Sequence, residues 1–149
     1  MGYIRIYGHY LSKDFVNFGR CRISCYEKFP AEEFTVTAKL KVSAKADGQQ
    51  SGLIVMGWDY GYLGVVKEGD KFILNQVVCK DAEQRSPETV TRLAELPVSR
   101  RFGAGLYPNY ERDIYLQVKV TGGRYLLFQL QSGRQEIYIG RSAFYRSSG

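Results

Sequence analysis

A chain of 149 residues suits one domain and can bury a working core without disulfides or a metal. A hydrophobic share of 44% and a charged share of 24% are those of an ordinary globular domain, and no stretch approaches the roughly 20 apolar residues of a membrane helix. The net charge of +6 is spread without a block of like charges, so it reads as a solvated surface rather than a nucleic-acid or membrane patch.

The N-terminus, MGYIRIYGHYL, lacks a charged region followed by an apolar core, so no secretory signal is expected and the compartment stays open. Tyr3–Tyr7 and Arg20–Cys25 have the composition of strands. Cys21, Cys25 and Cys79 are odd in number, which excludes a complete intrachain disulfide framework. Cys21-x3-Cys25 has no second Cys or His pair to close a zinc site, and small half-buried hydrophobes are the simpler reading.

From Phe34 the period is two. Phe34, Val36, Ala38, Leu40 and Val42 would face a core, with Thr35, Thr37, Lys39 and Lys41 toward water. Lys45–Gly48 is a turn. Leu53–Met56 is continuously apolar, as in a strand covered on both faces. Gly57–Gly61 breaks it, Tyr62–Lys67 resumes, Glu68-Gly69-Asp70 signals a hairpin, and Lys71–Cys79 returns. Ser86–Leu96 is a weaker strand, since Thr89, Val90 and Thr91 argue against a helix there. Pro97–Arg112, rich in Gly, Arg and Tyr, reads as a long surface loop. Ile114, Leu116, Val118 and Val120 alternate against Asp113, Tyr115, Gln117 and Lys119. Gly122-Gly123 turns into Tyr125–Gln131, and Ser132-Gly133 into Gln135–Ile139. About nine or ten short strands with Gly-rich turns predict an all-β, antiparallel two-sheet sandwich forming a single domain.

Several chemistries lack their residues. Glycoside hydrolysis needs two carboxylates across the scissile bond. Glu32 and Glu33 are adjacent and face opposite ways, Glu88 and Glu95 are widely spaced, and Asp59 is alone in a turn. The single histidine, His9, has no Gly-x-Ser-x-Gly partner, and no Walker or dinucleotide glycine pattern occurs. Arg100, Arg101, Tyr107, Tyr110 and Arg112 mix cations with rings as a nucleic-acid loop would, yet also describe an ordinary basic loop. No nucleic-acid partner, membrane partner or metal site is expected.

Sugar binding needs flat rings beside planar hydrogen-bonding groups. Trp58, Asp59, Tyr60 and Tyr62 share one turn and could supply these. So could Tyr115 with Gln117, on the non-core side of their strand. The alternative is that Trp58 and Tyr62 pack the edge of the sandwich.

The run FPAEEFTVTAKLKVSAKADGQQSGLIVMGWDYGYLGVVKEGDKFIL resembles the C-terminal β-sandwich module of family 43 glycoside hydrolases, the β-xylosidase and arabinofuranosidase-like enzymes. Gly2–Gly8 resembles its opening strand, Leu11-Ser12 the turn after it, Tyr115–Val120 a late strand, and FQLQSGRQEIYIGRSAF a hairpin near its end. The resemblance implies a concanavalin A-like jelly roll without catalytic residues of its own, because the family's carboxylates lie on a preceding five-bladed propeller that this sequence does not contain. It implies a non-catalytic accessory module for xylan or arabinan breakdown, with a polysaccharide, an oligosaccharide or a catalytic propeller as partner and those six residues as its contact candidates. A structural protein-interaction sandwich without sugar affinity, and a self-standing glycosidase, remain as alternatives. Some related modules hold a structural calcium, but no acidic cluster here is assignable to one, and no cofactor is expected. In the family further strands follow the final hairpin, so the domain is expected to lack its last strands or to be part of a longer protein. An open edge of that kind would suit strand-edge pairing with another copy.

Overall fold

The period-two pattern becomes nine strands and two short 3-10 turns in the computed structural model, which describes residues 2–8, 10–20, 28, 30–101, 109–122, 125–132 and 136–142. The strands are β1 (Phe34–Ala44), β2 (Gln50–Val55), β3 (Tyr60–Glu68), β4 (Lys71–Cys79), β5 (Thr89–Pro97), β6 (Ser99–Arg101), β7 (Asn109–Thr121), β8 (Tyr125–Ser132) and β9 (Glu136–Ser142). One antiparallel sheet runs β1-β7-β8-β9, with β6 also beside β7; the other runs β2-β3-β4-β5. Sequential hairpins build the second sheet, whereas β1 reaches its neighbour β7 only across the whole intervening sheet. The result is the two-sheet sandwich expected from the alternation.

The main core forms where the inner faces meet. Val42 and Ala44 of β1 and Ile114, Leu116, Val118 and Val120 of β7 come from one sheet. Val55, Leu63, Val65, Phe72, Leu74 and Leu96 come from the other. Each large side chain so buried contributes about 1.5–3 kcal/mol. In β1 the even positions turn inward and Thr35, Lys39, Lys41 and Ser43 are exposed, as the period predicts. Val36 keeps 38% of its surface although its parity points inward, because it lies toward the end of an edge strand.

Lys67 is charged yet only 4% exposed. Its ammonium bonds Asp47 at 2.6 Å and the Gly69 carbonyl at 2.8 Å, and lies 4.4 Å from the centre of the Tyr110 ring on β7. The chain thereby clasps one sheet to the other with a paired, ring-covered cation rather than a bare buried charge. The Lys67 ammonium holds the exposed Asp47 carboxyl below its usual range.

Five sequence expectations change. Tyr3–Tyr7 is not a strand: the segment makes no ladder, and Tyr3 and Ile4 stand 81% and 82% exposed. Composition favoured a strand, but a strand needs a partner edge. Arg20 closes the first 3-10 turn, and Cys21–Cys25 lies outside the described residues. The strand expected from Ser86 begins at Thr89, since Pro87 has no N–H for a ladder. The long loop expected over 97–112 contains a pairing of Ser99–Arg101 with Asn109–Glu111. Tyr60 and Gly61, assigned to a turn, already belong to β3.

Gly52 and Gly64 stand directly opposite each other on β2 and β3. A Cβ on Gly52 would press on the Leu63 carbonyl oxygen and lie 2.7 Å from Gly64 Cα. Both obstacles are backbone and cannot swing aside. Gly52→Ala should therefore destabilise by roughly 1–3 kcal/mol through overpacking. Urea unfolding checks this, and an unchanged midpoint would show that the strands part at no cost.

Candidate functional site

The turn of the Trp58–Tyr62 group is built from two hairpin ends. Ala82 N–H donates to the Trp58 carbonyl at 2.8 Å, and Asp81 N–H donates to the Asp59 carboxylate at 2.8 Å. These bonds lock the β2–β3 turn to the β4–β5 connection, and they leave Asp59 only 4% exposed. Asp81 and Arg85 flank the short turn Ala82–Gln84 at φ of 50° and 60°, left-handed values that non-glycine residues adopt only when held. Trp58 keeps 41% of its surface and points its ring toward solvent more than any other member of the group.

Tyr60 and Tyr62 go inward. Alternation along β3 turns them to the outer face of the four-stranded sheet, where the N-terminal segment covers them. Phe18 meets both rings edge-on, at 6.0 Å and 5.9 Å between centres, and Phe15 meets Phe18 at 5.0 Å. Val77, Cys79 and Ala82 complete this second apolar cluster. Asn17 anchors the strap: its amide donates to the carbonyls of Ala82 at 3.0 Å and Ser86 at 2.7 Å, and its oxygen accepts from Gly19 N–H. The Tyr60 hydroxyl accepts from Phe18 N–H at 2.9 Å and donates to the Glu88 carboxylate in a short bond. Burial holds both phenols well above the usual tyrosine range, with Glu88 adding to it at Tyr60. Burial likewise pushes the Cys79 thiol up.

Tyr115 and Gln117 lie elsewhere, on the outer face of the five-stranded sheet. Register sets Lys39 opposite Tyr115, Thr37 opposite Gln117 and Thr35 opposite Lys119. Tyr115 keeps 38% of its surface, with the Lys39 ammonium 5.6 Å from its ring centre. The Gln117 amide donates to the Thr37 hydroxyl at 2.9 Å. On β1 and β7 this face carries the Tyr115 ring beside a row of hydrogen-bonding groups, Thr35, Thr37, Lys39, Gln117 and Lys119. The candidates thus separate into two places: a turn whose aromatic side chains are largely inside, apart from Trp58, and an open face centred on Tyr115.

Residues 1–147 match the family model of the beta xylosidase C-terminal concanavalin A-like domain. The chain belongs to that family. Comparison with curated proteins and with solved structures gives no match.

In this β-xylosidase C-terminal domain, five of the described carboxylates make bonds within the fold. Glu88 holds Tyr60, Asp59 caps the Asp81 N–H, Asp47 pairs with Lys67, Glu68 and Glu95 pair with Arg92, and Glu95 also pairs with Lys71. Among the described residues there is no group of three or more His, Cys, Asp or Glu that could hold a metal ion. An open depression of about 370 Å³ lies against β4 and β5, lined by Val78, Lys80, Asp81, Ser86, Pro87 and Thr89, without an aromatic ring. Lys39, Thr37 and Lys119 were not among the sequence-derived candidates. Their outward parity was visible, but their place beside Tyr115 depends on the β1–β7 register.

Glu88 gives the domain a pH signature. Burial raises its carboxyl above the ordinary range, and the bond from Tyr60 only partly offsets this. A folded pKa above the unfolded one contributes stability that is full below the unfolded pKa and lost as pH rises through the folded value. Glu88→Gln keeps an acceptor for Tyr60 without the charge. Its urea midpoint should match the wild type near about pH 4 and exceed it near about pH 7. A variant less stable than wild type at neutral pH would contradict the buried-charge account.

Proposed function

We propose that this domain is a non-catalytic accessory domain of a protein that degrades xylan or arabinan-type polysaccharide, and that the outer face of β1 and β7 is its sugar contact. The observation that carries the reading is Tyr115, an exposed ring on a rigid strand flanked by Lys39, Gln117 and Thr37. A pyranose can stack its C–H face on such a ring while its hydroxyls meet the neighbouring polar groups. Lys39 does not block this. An exposed cation over a ring is held by about 0.5–1 kcal/mol and exchanges readily. The use of Glu88, Asp59, Asp47, Glu68 and Glu95 in structural bonds supports a non-catalytic role, with hydrolysis belonging to an attached catalytic propeller domain.

A second reading assigns Trp58 to packing on that catalytic domain. Its support is a ring 41% exposed on a turn held by the Ala82 bond, a geometry suited to an interface anchor.

Affinity electrophoresis with xylan and arabinan separates the readings. Tyr115→Ala should weaken retention by roughly tenfold, the scale of one aromatic anchor, and shift stability by only about 0.5 kcal/mol because the residue is outside the core. Trp58→Ala should leave retention unchanged. The reverse pattern would move the sugar contact to the turn, and no retention by any polysaccharide would leave an interaction domain. Turnover of a nitrophenyl xyloside by the pure chain would refute the non-catalytic assignment.

A further inference from the structure

The face around Tyr115 has a charge pattern that composition does not reveal. Carboxylates gather at one end, where Asp113 is in register with Lys41 and Glu111 lies 3.5 Å from the Lys41 ammonium, while beyond the other end Glu33 precedes Phe34 outside the ladder. From Tyr115 onward the pattern changes. Lys39 is in register with Tyr115, and Tyr115 with Gln131. Two residues along, Thr37, Gln117 and Gln129 align. Two further along, Lys119 aligns with Leu127, and Leu127 with Arg141. No position on these three rungs, from β1 to β9, is an Asp or a Glu.

Strand geometry sets the scale. Rungs of the same parity are about 7 Å apart and neighbouring strands about 4.8 Å. Lys39 and Lys119 therefore stand at opposite ends of the Tyr115–Gln117 platform, with their Cα atoms on the order of 14 Å apart. Cations at both ends and amides between them suit a chain of hydroxyls that carries carboxylates at intervals.

We propose that this face takes an acidic heteroxylan, a xylose chain bearing uronic-acid side groups. Tyr115 underlies a sugar ring, Gln117 and Thr37 meet hydroxyls, and Lys39 and Lys119 meet uronate carboxylates. The proposal rests on the sugar-contact reading of the same face and adds the charge of the ligand to it. Exposed ion pairs are individually weak and screened by salt, so the contribution of the cations is selectivity and salt dependence rather than the bulk of affinity.

The test is affinity electrophoresis of the full chain in gels containing glucuronoxylan, the same xylan after carboxyl reduction, or double-stranded DNA, each at low and high salt. The wild type should bind glucuronoxylan more tightly than the reduced xylan, and the difference should shrink with salt. Lys39→Gln with Lys119→Gln should weaken glucuronoxylan retention by roughly tenfold, and retention by the reduced xylan, which offers Lys39 only hydroxyls, by much less. An unchanged thermal midpoint of the double variant shows that the fold is intact, and the wild-type comparison of the two xylans stands without it. Equal retention by native and reduced xylan overturns the acidic-ligand inference and leaves the sugar-contact reading in place. Retention by neither xylan overturns this inference, and retention by neither xylan nor arabinan removes the sugar-contact reading as well. Retention by DNA as strong as by glucuronoxylan marks plain cation exchange and overturns the inference.

Discussion

Strand β3 sends alternate side chains into two separate apolar clusters, and the rest of the domain is arranged to cover both. Leu63 and Val65 enter the core between the sheets, while Tyr60 and Tyr62 enter the cluster on the far side. A sheet buried on both faces needs a cover for each. The first cover is the sheet of β1 and β7. The second is the Phe15–Gly19 strap, pinned by Asn17 and by the Tyr60 hydroxyl. Because Tyr60 also holds Glu88, one phenol ties the strap, the central hairpin and the β4–β5 connection together. Each buried polar atom in this knot finds a partner, which keeps its cost low.

The same constraint leaves the two sheets with different outer faces. The four-stranded sheet has a strap over part of its outer face, whereas the outer face of β1 and β7 carries Thr, Lys, Gln and Tyr side chains. Adjacent, long, paired strands set these groups in a fixed register. The family gives the context, a domain associated with β-xylosidases. On that outer face Tyr115 stands opposite Lys39, and Lys119 lies further along the same strand.

Much of this was legible in the chain. The alternation of Phe34–Val42 and of Ile114–Val120 identified two half-buried strands, and the continuous apolar run Leu53–Met56 identified one covered on both sides. In the structure Leu53 and Val55 belong with the inter-sheet core and Ile54 and Met56 with the far cluster. The turn Trp58–Tyr62 was harder. Aromatic residues in a Gly-rich turn look the same whether they face water or a strap. The strap is forty residues upstream in sequence, and its docking rests on a Phe18–Tyr60 contact that no local pattern encodes. Tyr3–Tyr7 failed for the opposite reason: it has the residues of a strand and no ladder to join.

By itself the sequence determined the fold class, the inward and outward parity of each strong strand, and the family. These follow from local periodicity and from short runs of residues, which are carried along the chain. Tertiary structure alone decided which outward residues become neighbours. Lys39 meets Tyr115, and Thr37 meets Gln117, because β1 pairs with β7 in one register, and a slip of one residue would turn each side chain to the opposite face. It also decided that Tyr60 and Tyr62 lie inside while Trp58 stays out, since burial depends on what covers a face and not on the residues that form it.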